Sequence, residues 1–397
     1  MSAAHAKRPP LVVLVAISAL QPFALNVLAP ATPALARSFE TDYGTIQLTL
    51  TVYLVAVALT QLVVGPVSDR IGRRPCILGG LASFVAGSVI GIVATDIPTL
   101  LLARAVQAMG GGTCFALSRA VVRDTAERDE AASLIGYITM AMVVSPMVAP
   151  LVGGYLDAHH GWRSIFVAML VLAAAVTVAA ALLLTETAPK ASADAQAGYA
   201  AALPVLLASP SFVGYAGALA GSTAAFFVYI AGAPYVVVEV MGRSTYEYGL
   251  YSMVVAAGYM AGNFVTGRFG ARIGGERLAR IGLTISLLAT GLALVLALAM
   301  QAAWNPAALF LPMTLNAVGN GLTIPDGTAS ALSVRPDLAG TAAGLVGALQ
   351  LGFGALGAIA IGYAVASWPP ALPLAMLILV VFARMVLLRT KPMENNG

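Results

Sequence analysis

Long apolar runs recur along this chain, each near the length that crosses a lipid bilayer. One crossing takes about 20 predominantly apolar residues in a helix, because backbone groups in hydrocarbon must bond within their own segment. The 397 residues are 59% hydrophobic and 10% charged, whereas a soluble domain carries about 25% charged residues. The sequence therefore predicts an all-α integral membrane protein without a soluble catalytic domain.

Charged residues, prolines and glycines divide the apolar runs into twelve predicted spans. A polar, alanine-rich stretch separates the sixth span from the seventh. We therefore expect an N-terminal six-helix half at 1–185, a cytoplasmic linker at 186–209 and a C-terminal six-helix half at 210–397. The predicted spans are 11–33, 47–66, 76–94, 98–121, 132–155, 163–185, 210–232, 247–267, 278–301, 305–326, 340–363 and 371–389.

Basic residues are distributed unevenly over the segments between spans. With the N-terminus inside, fifteen Lys and Arg residues lie on cytoplasmic segments, and three, Arg37, Arg163 and Arg243, lie on outer loops. By the positive-inside rule, both termini are then cytoplasmic and the number of crossings is even. The alternative is a first span cleaved as a signal peptide near residues 34–36. Since cleavage would move the next arginines to the wrong side, an uncleaved first helix fits better.

A pattern that follows the second span returns after the eighth. Residues 65–74 read GPVSDRIGRR and residues 267–277 read GRFGARIGGER, an offset of 202 positions, which is close to half of the chain. Some secondary transporters consist of two parallel six-helix halves related by an axis along the membrane normal, with the substrate site at midplane. The repeat therefore predicts two pseudo-symmetric halves of this kind.

The scarce cysteines and histidines argue against disulfide, metal or catalytic sites. Cys76 and Cys114 stand 38 positions apart, and His5, His159 and His160 lie outside every predicted span. A membrane enzyme would need a clustered nucleophile and base or a metal set, and a sensor would need a soluble output domain. The net charge of +4 is explained by basic residues that set the orientation of the protein in the membrane. We expect no enzymatic activity, metal, cofactor or nucleic-acid partner.

Residues 65–74 resemble the hallmark loop of the major facilitator superfamily, G-x-x-x-D-[RK]-x-G-[RK]-[RK], at every key position. Gly65 and Gly72 are expected to allow a tight turn. The resemblance implies that Asp69 lies near the N-terminus of the eleventh helix, around Gly340, where the helix dipole favours an anion. It also implies twelve helices and transport by alternating access.

The resemblance places a further acid at the inner end of helix four, and Asp124 occupies that position. We expect a network of Asp69, Arg73 and Asp124 that closes the inner side when the site faces outward. The alternative is a set of solvated charges that only orient the protein in the membrane. The second copy has Ala271 in place of the acid, which weakens any matching latch. The gating and charge-relay candidates are Asp69, Arg70, Arg73, Arg74 and Asp124.

Helix four carries RAVQAMG at 104–110, close to the family pattern R-x-x-Q-G-x-G. A guanidinium within an apolar helix is costly unless it meets an acid, carbonyl groups or water, so Arg104 is expected to face the interior together with Gln107. The resemblance links this arginine to proton coupling. The alternative is that Arg104 snorkels to the membrane surface.

Helix five ends in SPMVAPLVGG at 145–154, which resembles a motif associated with drug antiporters of the superfamily. Its small residues recur every four positions and permit close helix approach, while its prolines loosen the backbone. We expect helix eight to be the partner, through Gly258 and Gly262, and the alternative is a plain packing helix. The motif residues are Gly136, Ser145, Ala149, Pro150, Gly153 and Gly154.

Further segments extend the resemblance over the whole chain. Helix eleven begins AGTAAGLVGALQ at 339–350, and GAPY at 232–235 precedes EVMG at 239–242. In these segments the chain is similar to the Bcr/CflA-type bacterial drug exporters. The resemblance implies export of amphipathic compounds, such as bicyclomycin or chloramphenicol-like phenicols, against an inward proton flow. We expect a monomer in the bacterial inner membrane whose partners are its drug substrate, protons and the lipid bilayer.

The first helix departs from the subfamily pattern, because Asn26 stands where an acid is common. Asparagine does not titrate, so coupling through a first-helix acid is not expected. The rival function is therefore a facilitator, or an exporter or importer, of a small metabolite without proton antiport. The acids near membrane depth are Asp69, Asp124 and Asp326 on the inner side, with Glu239 and Asp157 outside. The proton-coupling candidates are Arg104, Gln107, Asp124 and Asp326.

Polar and aromatic residues inside the predicted spans are candidates for the substrate pocket. Mostly apolar walls with a few hydrogen-bonding groups suit an amphipathic drug better than a sugar. The alternative for each candidate is a hydrogen bond between helices. The candidates are Asn26, Tyr53, Gln61, Arg119, Tyr137, Phe226, Tyr229, Asn316, Asn320 and Gln350.

Overall fold

A computed structural model describes residues 9–125, 128–187, 203–300, 304–335 and 338–388. Outside these ranges lie the predicted basic segment up to Arg8, most of the predicted linker, and the C-terminal residues from Arg389 onward. The last residues of the predicted spans 278–301 and 371–389 also lie outside them. Within the described ranges the regular structure is helical, without a strand.

The described residues form twelve long helices, which we name α1 to α12 in chain order. Two of them are irregular: α1 contains a 3₁₀ turn at Ala29–Ala31, and α7 ends in a π-helical turn at Val236–Val240. The helices are Leu11–Ser38, Tyr43–Ile71, Arg73–Val93, Ile97–Thr125, Arg128–His160, Arg163–Leu183, Pro210–Val240, Thr245–Ile273, Gly275–Met300, Pro306–Ser333, Ala339–Ser367 and Ala371–Leu388.

Ten helices in the described part of the chain are long and apolar enough to cross a membrane. The remaining two, α5 and α8, contain 33 and 29 residues, more than one crossing needs. The predicted all-α membrane fold is confirmed, and the twelve long helices fit the predicted number of spans. Several helices, such as α2 and α10, extend past their predicted spans, because helical hydrogen bonding continues into the polar turns beyond the apolar run.

The chain turns after α2 at one glycine, so the expectation that Gly65 takes part in the turn was wrong. Gly65 is helical, and α2 continues to Ile71. Pro66 lies inside this helix and donates no N–H to it, and the Ser68 hydroxyl donates to the Gly65 carbonyl oxygen at 2.8 Å. The turn is made by Gly72, whose φ of 105° lies in the left-handed region that favours glycine.

The chain packs into two compact units. In the first, α1 packs mainly on α5 and α4, and α3 packs on both α4 and α6. In the second, α9 packs on α10 and α12, and α7 packs on α11 and α12. The first unit is formed by described residues within 1–42, 48–194 and 245–249, and the second by those within 43–47, 195–244 and 250–397.

Glycines permit a close helix crossing in each unit. A Cβ on Gly80 of α3 would lie 2.9 Å from the Thr113 side chain of α4. A Cβ on Gly282 of α9 would overlap the Gly319 carbonyl oxygen of α10. Gly80 and Gly282 are separated by the repeat offset of 202. Both halves therefore use the same repeat position for a small residue at a helix contact.

Candidate functional site

Three charged side chains meet where α2, α3 and α4 come together, and we call them the loop charge cluster: Asp69, Arg73 and Asp124. Arg73 Nη1 lies 2.6 Å from Asp69 Oδ1, and Arg73 Nε lies 2.9 Å from Asp124 Oδ2. The Arg73 guanidinium also donates to the Ser68 hydroxyl. One charged side chain therefore ties the ends of α2 and α4 to the start of α3.

Burial distinguishes this cluster from ordinary solvated loop charges. The Arg73 side chain is 6% exposed and the Asp124 side chain 10%, whereas that of Asp69 is 48% exposed. Removing one member of a buried ion pair is strongly destabilising, since the other charge stays desolvated. The Arg73–Asp124 pair is therefore a buried ion pair of the first unit, and Asp69 is the member that a second partner can reach.

A fourth charge, Glu186, belongs to this region and was not predicted. Its carboxylate accepts hydrogen bonds from the backbone N–H groups of Arg73 at 2.8 Å and Arg74 at 3.2 Å, at the N-terminus of α3, where a negative charge is favoured. The Arg74 guanidinium donates to the carbonyl oxygens of Leu184 at 2.8 Å and Ala181 at 2.9 Å. The start of α3 and the end of α6 therefore cap one another.

The sequence carries little signal for Glu186. It lies 112 positions after Arg74, in the predicted linker, and is one acid at the end of an apolar run. A side chain at Gly72 would overlap the Glu186 carboxylate, so the turn needs glycine for space as well as for backbone conformation. Arg70, the remaining charged residue of the hallmark loop, is exposed.

Deep in the first unit, neutral polar groups enclose Arg104; we call Arg104, Gln107, Tyr53 and Ser88 the buried arginine cluster. Arg104 is 1% exposed. Its Nη1 donates to Gln107 Oε1 at 2.9 Å, and its Nη2 donates to the Ala24 carbonyl oxygen at 3.1 Å. The guanidinium carbon lies 4.2 Å from the Tyr53 ring centroid. The Arg104 side chain therefore points into the interior of the helix bundle and does not snorkel to the membrane surface.

Hydrogen bonds connect this cluster to neighbouring helices. Gln107 Nε2 donates to Ser88 Oγ of α3 at 2.9 Å, and the Tyr53 hydroxyl of α2 donates to the Gln21 carbonyl oxygen of α1 at 3.0 Å. Within the described residues, the hydrogen-bond partners of Arg104 are neutral, and its Nε has none. Ionisable groups inside the membrane are costly and mark functional sites. The cluster is therefore the leading candidate site of the first unit.

One of these partners lies beside a break in α1. The regular part of this helix ends at Val27, and the Leu28 N–H is directed to the Asn26 carbonyl oxygen. The irregular turn continues into Pro30, which has no N–H to donate. The Ala24 carbonyl oxygen, in the last regular turn, is the acceptor that Arg104 uses. Helix interruptions are tolerated inside membranes where a neighbour satisfies the freed backbone group.

The pocket candidates of the first unit fall into different settings. Asn26 Nδ2 donates to the Pro22 carbonyl oxygen at 2.8 Å within its own helix, so this amide stabilises α1. Gln61 is half-buried on α2. Arg119 is half-buried, with its guanidinium carbon 4.7 Å from the centroid of a phenyl ring on its own helix. Tyr137 lies on α5, but its side chain lies outside the described set.

The second unit contains buried amides with open acceptors. Asn316 and Asn320, one turn apart on α10, are 4% and 3% exposed. Their side-chain carbonyl oxygens have no hydrogen-bond partner within the described residues. Gln350 Nε2, by contrast, donates to Thr223 Oγ1 at 2.9 Å and links α11 to α7. Buried acceptors without donors are costly, so the asparagine pair suits a ligand with N–H or O–H groups.

The aromatic candidates lie on α7. The Tyr229 ring is edge-on to the Phe310 ring of α10, with centroids 6.4 Å apart. Phe226 is half-buried, with its ring 5.9 Å from that of Phe227. Edge-to-face aromatic pairs are favourable beyond their burial alone. Tyr229 is therefore part of a packed aromatic contact between two helices.

The helix-five motif packs on α1 and on the beginning of α8. A side chain at Gly153 would overlap the Val27 carbonyl of α1, and one at Gly154 would overlap the Thr245 carbonyl. Ser145, Ala149 and Pro150 lie further back along the same helix, and all three are buried. Gly136 also lies on α5, but its contacts lie outside the part of the protein that the structure describes.

The expected role of Gly258 and Gly262 at this contact was wrong. A Cβ on Gly258 would lie 2.6 Å from the Thr314 carbonyl oxygen, and one on Gly262 would overlap that of Val318. Both glycines therefore pack on α10. The shared four-residue spacing indicated that each helix has a partner, but spacing alone does not say which helix the partner is.

Two further acids differ in their surroundings. Asp157 lies at the end of α5 beyond the predicted span, where burial raises the pKa of its carboxyl; a hydrogen bond from Thr245 and the charge of Arg37 oppose this effect. Asp326, on α10, lies beside the first residue of α9, since a Cβ on Gly275 would be 3.0 Å from Asp326 Oδ1. Its Oδ2 has no hydrogen-bond partner within the described residues.

Comparison with known proteins covers nearly the full length. The family model described as Major Facilitator Superfamily matches residues 14–358. Multidrug resistance protein D of Escherichia coli is 30% identical over 353 residues, 88% of this chain and 87% of that protein. The chloramphenicol resistance protein of Pseudomonas aeruginosa is 31% identical over 314 residues, 79% and 72% of the two chains. A bicyclomycin resistance protein homolog of Haemophilus influenzae is 27% identical over 345 residues, 86% and 85%.

A solved structure shows the same fold at low sequence identity. A POT family transporter in complex with a thioalcohol-conjugated peptide superposes with a TM-score of 0.77 at 12% identity, covering 95% of this chain and 94% of that chain. This likeness concerns the fold alone. The family model, the relatives and the hallmark loop agree with one another. The chain belongs to the major facilitator superfamily, where it is a Bcr/CflA-type membrane transporter and not an enzyme.

Proposed function

We propose that this chain is a secondary active multidrug efflux transporter of the bacterial inner membrane, with both termini in the cytoplasm. It exports amphipathic antibiotics, such as chloramphenicol- or bicyclomycin-like compounds, by alternating access. It works as a monomeric drug:proton antiporter. The observation that carries the proposal is the similarity to three proteins named for drug resistance, each over at least 79% of this chain.

The chemistry of the candidate residues supports an amphipathic substrate. Asn316 and Asn320 offer buried acceptors, and the half-buried Phe226 offers aromatic surface. A pocket of mostly apolar character with a few placed polar groups binds such compounds. A sugar would need many more hydrogen-bonding groups than these helices provide.

The loop charge cluster is proposed to act as the inner latch. Asp69 is half-exposed while Arg73 and Asp124 are buried, so Asp69 is available to bind the N-terminus of α11 in one state and to lose that contact in the other. Substrate and protons shift the balance of states only if each binds the two states with different affinity.

The Asp69→Asn variant tests the latch. We expect the outward-facing state to lose stability and drug export to fall, with the protein still folded, because the Arg73–Asp124 pair remains. Export is measured as drug accumulation by inverted membrane vesicles. The matched control is Asp96→Asn, which removes a charge from an exposed turn where Asp96 Oδ1 accepts the Thr99 N–H at 2.8 Å. Wild-type rates in Asp69→Asn would reject the latch.

Inverted vesicles also test the antiport itself. With an imposed proton gradient, the vesicles should accumulate chloramphenicol or a similar drug, and collapsing the gradient with a protonophore should abolish the accumulation. Expression in a drug-hypersensitive host, screened against a panel of antibiotics, identifies the substrate class. Unchanged tolerance to the whole panel would contradict the drug assignment.

The second candidate is a facilitator, or an exporter or importer, of a small metabolite without proton antiport. Asn26 favours it, because this amide replaces the acid common in the first helix and bonds within its own helix. Arg104 also has only neutral hydrogen-bond partners within the described residues. Substrate movement that does not depend on the proton gradient would support this candidate over the first.

A further inference from the structure

Two residues of the loop charge cluster have counterparts in the second half of the chain, at the offset of the internal repeat. At the offset of 202 positions, Asp124 corresponds to Asp326, and Arg73 corresponds to Gly275. The second half therefore keeps the acid of the buried ion pair and has a glycine in place of its arginine. A carboxylate without its cation is the unusual feature here.

The two acids occupy equivalent positions in their units. α3 begins at Arg73 and α9 begins at Gly275. Asp124 Oδ2 lies 2.9 Å from Arg73 Nε, while Asp326 Oδ1 would lie 3.0 Å from a Cβ on Gly275. Asp326 thus faces the position that the arginine fills in the first half. Its Oδ2 is buried and has no hydrogen-bond partner in the part of the chain that the structure describes.

Other charges on the neighbouring elements do not replace the missing arginine. On α9, Glu276 Oε1 binds Arg280 Nη2 at 2.6 Å, so these two charges neutralise each other. The Arg384 guanidinium of α12 donates to the Thr284 hydroxyl. Among the described residues, no ion pair is formed by Asp326. The other basic side chains at this end of α8, α9 and α10 are Arg268, Arg272, Arg277 and Arg335.

We propose that Asp326, which has no arginine partner at position 275 because that residue is glycine, is a proton-binding carboxylate of the transport cycle. The proposal rests on the antiport function proposed above. A proton adds to one carboxylate oxygen to give the neutral acid, and its release restores the carboxylate, with no other bond changed. Protonating Asp124 would break its buried ion pair with Arg73, which is costly. Protonating Asp326 breaks no ion pair among the described residues and removes a partly buried charge.

The test exchanges the arginine between the two halves. Gly275→Arg restores the pair in the second half, and Arg73→Gly removes it from the first. The probe is dicyclohexylcarbodiimide, which adds to protonated carboxyl groups in apolar surroundings to give an acylurea detected by peptide mass spectrometry. In the wild type we expect modification of Asp326 and not of Asp124. Gly275→Arg should abolish the modification of Asp326, and Arg73→Gly should add that of Asp124.

Gly275→Met is the matched control, because it brings a side chain of similar length without a charge. Since a Cβ at position 275 would be 3.0 Å from Asp326 Oδ1, both substitutions displace the carboxylate slightly, and only arginine offers an ion pair in return. Gly275→Met should retain the modification. Size-exclusion profiles and melting temperatures of all variants show whether each is folded. If Arg73→Gly is not folded, the comparison is made with the wild type and Gly275→Met.

Transport measurements separate this inference from the proposed function. If the wild type is driven by the proton gradient, Gly275→Arg and Asp326→Asn should lose that dependence, while Gly275→Met keeps it. An unmodified Asp326 in the wild type, or gradient-driven transport by folded Asp326→Asn, would overturn the assignment of this residue. Wild-type transport that does not depend on the proton gradient would instead overturn the proposed antiport, whatever the labelling shows.

Discussion

One buried side chain, Arg104, joins helices that are distant in sequence. Its two terminal nitrogens bond Gln107 and a carbonyl of α1, and its planar group faces the Tyr53 ring. Arginine can do this because its guanidinium is planar and presents several donors in a fixed fork. The same geometry makes the residue hard to replace by another cation.

The Arg104→Lys variant should fold but lose transport, by about tenfold or more if about 1.4 kcal/mol of interaction is lost. A lysine ammonium is a compact point charge that cannot bond both acceptors and stack on the ring together. The control is Arg163→Lys, because Arg163 also bonds a carbonyl, at 3.0 Å, and lies 4.2 Å from a Trp162 ring centroid, away from the site. Vesicle transport and melting temperature are measured for both; equal transport by both variants would contradict a functional role for Arg104.

Glu186 should contribute to stability through the N-terminus of α3. Glu186→Gln keeps an oxygen acceptor but removes the charge that favours this helix end, at an expected cost of about 0.3–1 kcal/mol. Thr187→Val is the control, since the Thr187 hydroxyl is buried without a hydrogen-bond partner in the described residues and its removal should cost nothing. Thermal unfolding in detergent, at low and high salt, measures both. A melting temperature unchanged in Glu186→Gln would show that the contact with α3 is not stabilising.

At the scale of helices, small residues decide which elements approach closely. Gly153 of α5 faces the Val27 carbonyl of α1, and Gly258 of α8 faces the Thr314 carbonyl of α10. Helix association in membranes depends on such close packing, because lipid is as apolar as the side chains. The spacing of small residues was visible in the sequence, but the choice of partner required the positions of the helices.

Gly153→Ala should destabilise the protein by roughly 1–3 kcal/mol, because a methyl group there would force the α1 and α5 backbones apart. Gly79→Ala on α3 is the control, since a Cβ at Gly79 meets nothing within 4 Å in the described part of the chain. That substitution should be neutral or stabilising by up to about 1 kcal/mol, as alanine is the better helix former. Melting temperatures and drug export are compared. Equal behaviour of the two variants would contradict the packing role of Gly153.

At the scale of the whole molecule, the repeat and the distribution of basic residues define the organisation. The offset of 202 aligns the loop charge cluster with its altered copy and aligns Gly80 with Gly282. The bias of basic residues toward alternate loops predicts that both termini are cytoplasmic. The orientation determines which side the loop charge cluster and Asp326 face.

Reporter fusions test that orientation. Alkaline phosphatase, which is active only outside the cytoplasm, should be inactive at the C-terminus and active when inserted after Gly242. A fluorescent protein at the C-terminus should fluoresce, because it folds in the cytoplasm. The reverse pattern would contradict the assigned sidedness of the whole transporter.

The sequence by itself determined the helices, the repeat and the family. In apolar runs of bilayer length, backbone N–H and C=O groups must bond within each helix, because the bilayer core holds no water to bond them. The hallmark loop identifies the family from consecutive residues. Arg104 and Gln107 were also recognisable, since a cation in an apolar helix needs buried partners. These features depend on local composition and spacing, which can be read directly from the order of the residues.

Only the tertiary structure decided which groups meet. Glu186 reaches the start of α3 from 113 positions away, and Arg104 bonds the Ala24 carbonyl beside the interruption of α1. Gly275 faces Asp326 where the first half has an ion pair. Contacts of this kind depend on where helices end and how closely they pack, so they follow from the folded arrangement and not from any local rule.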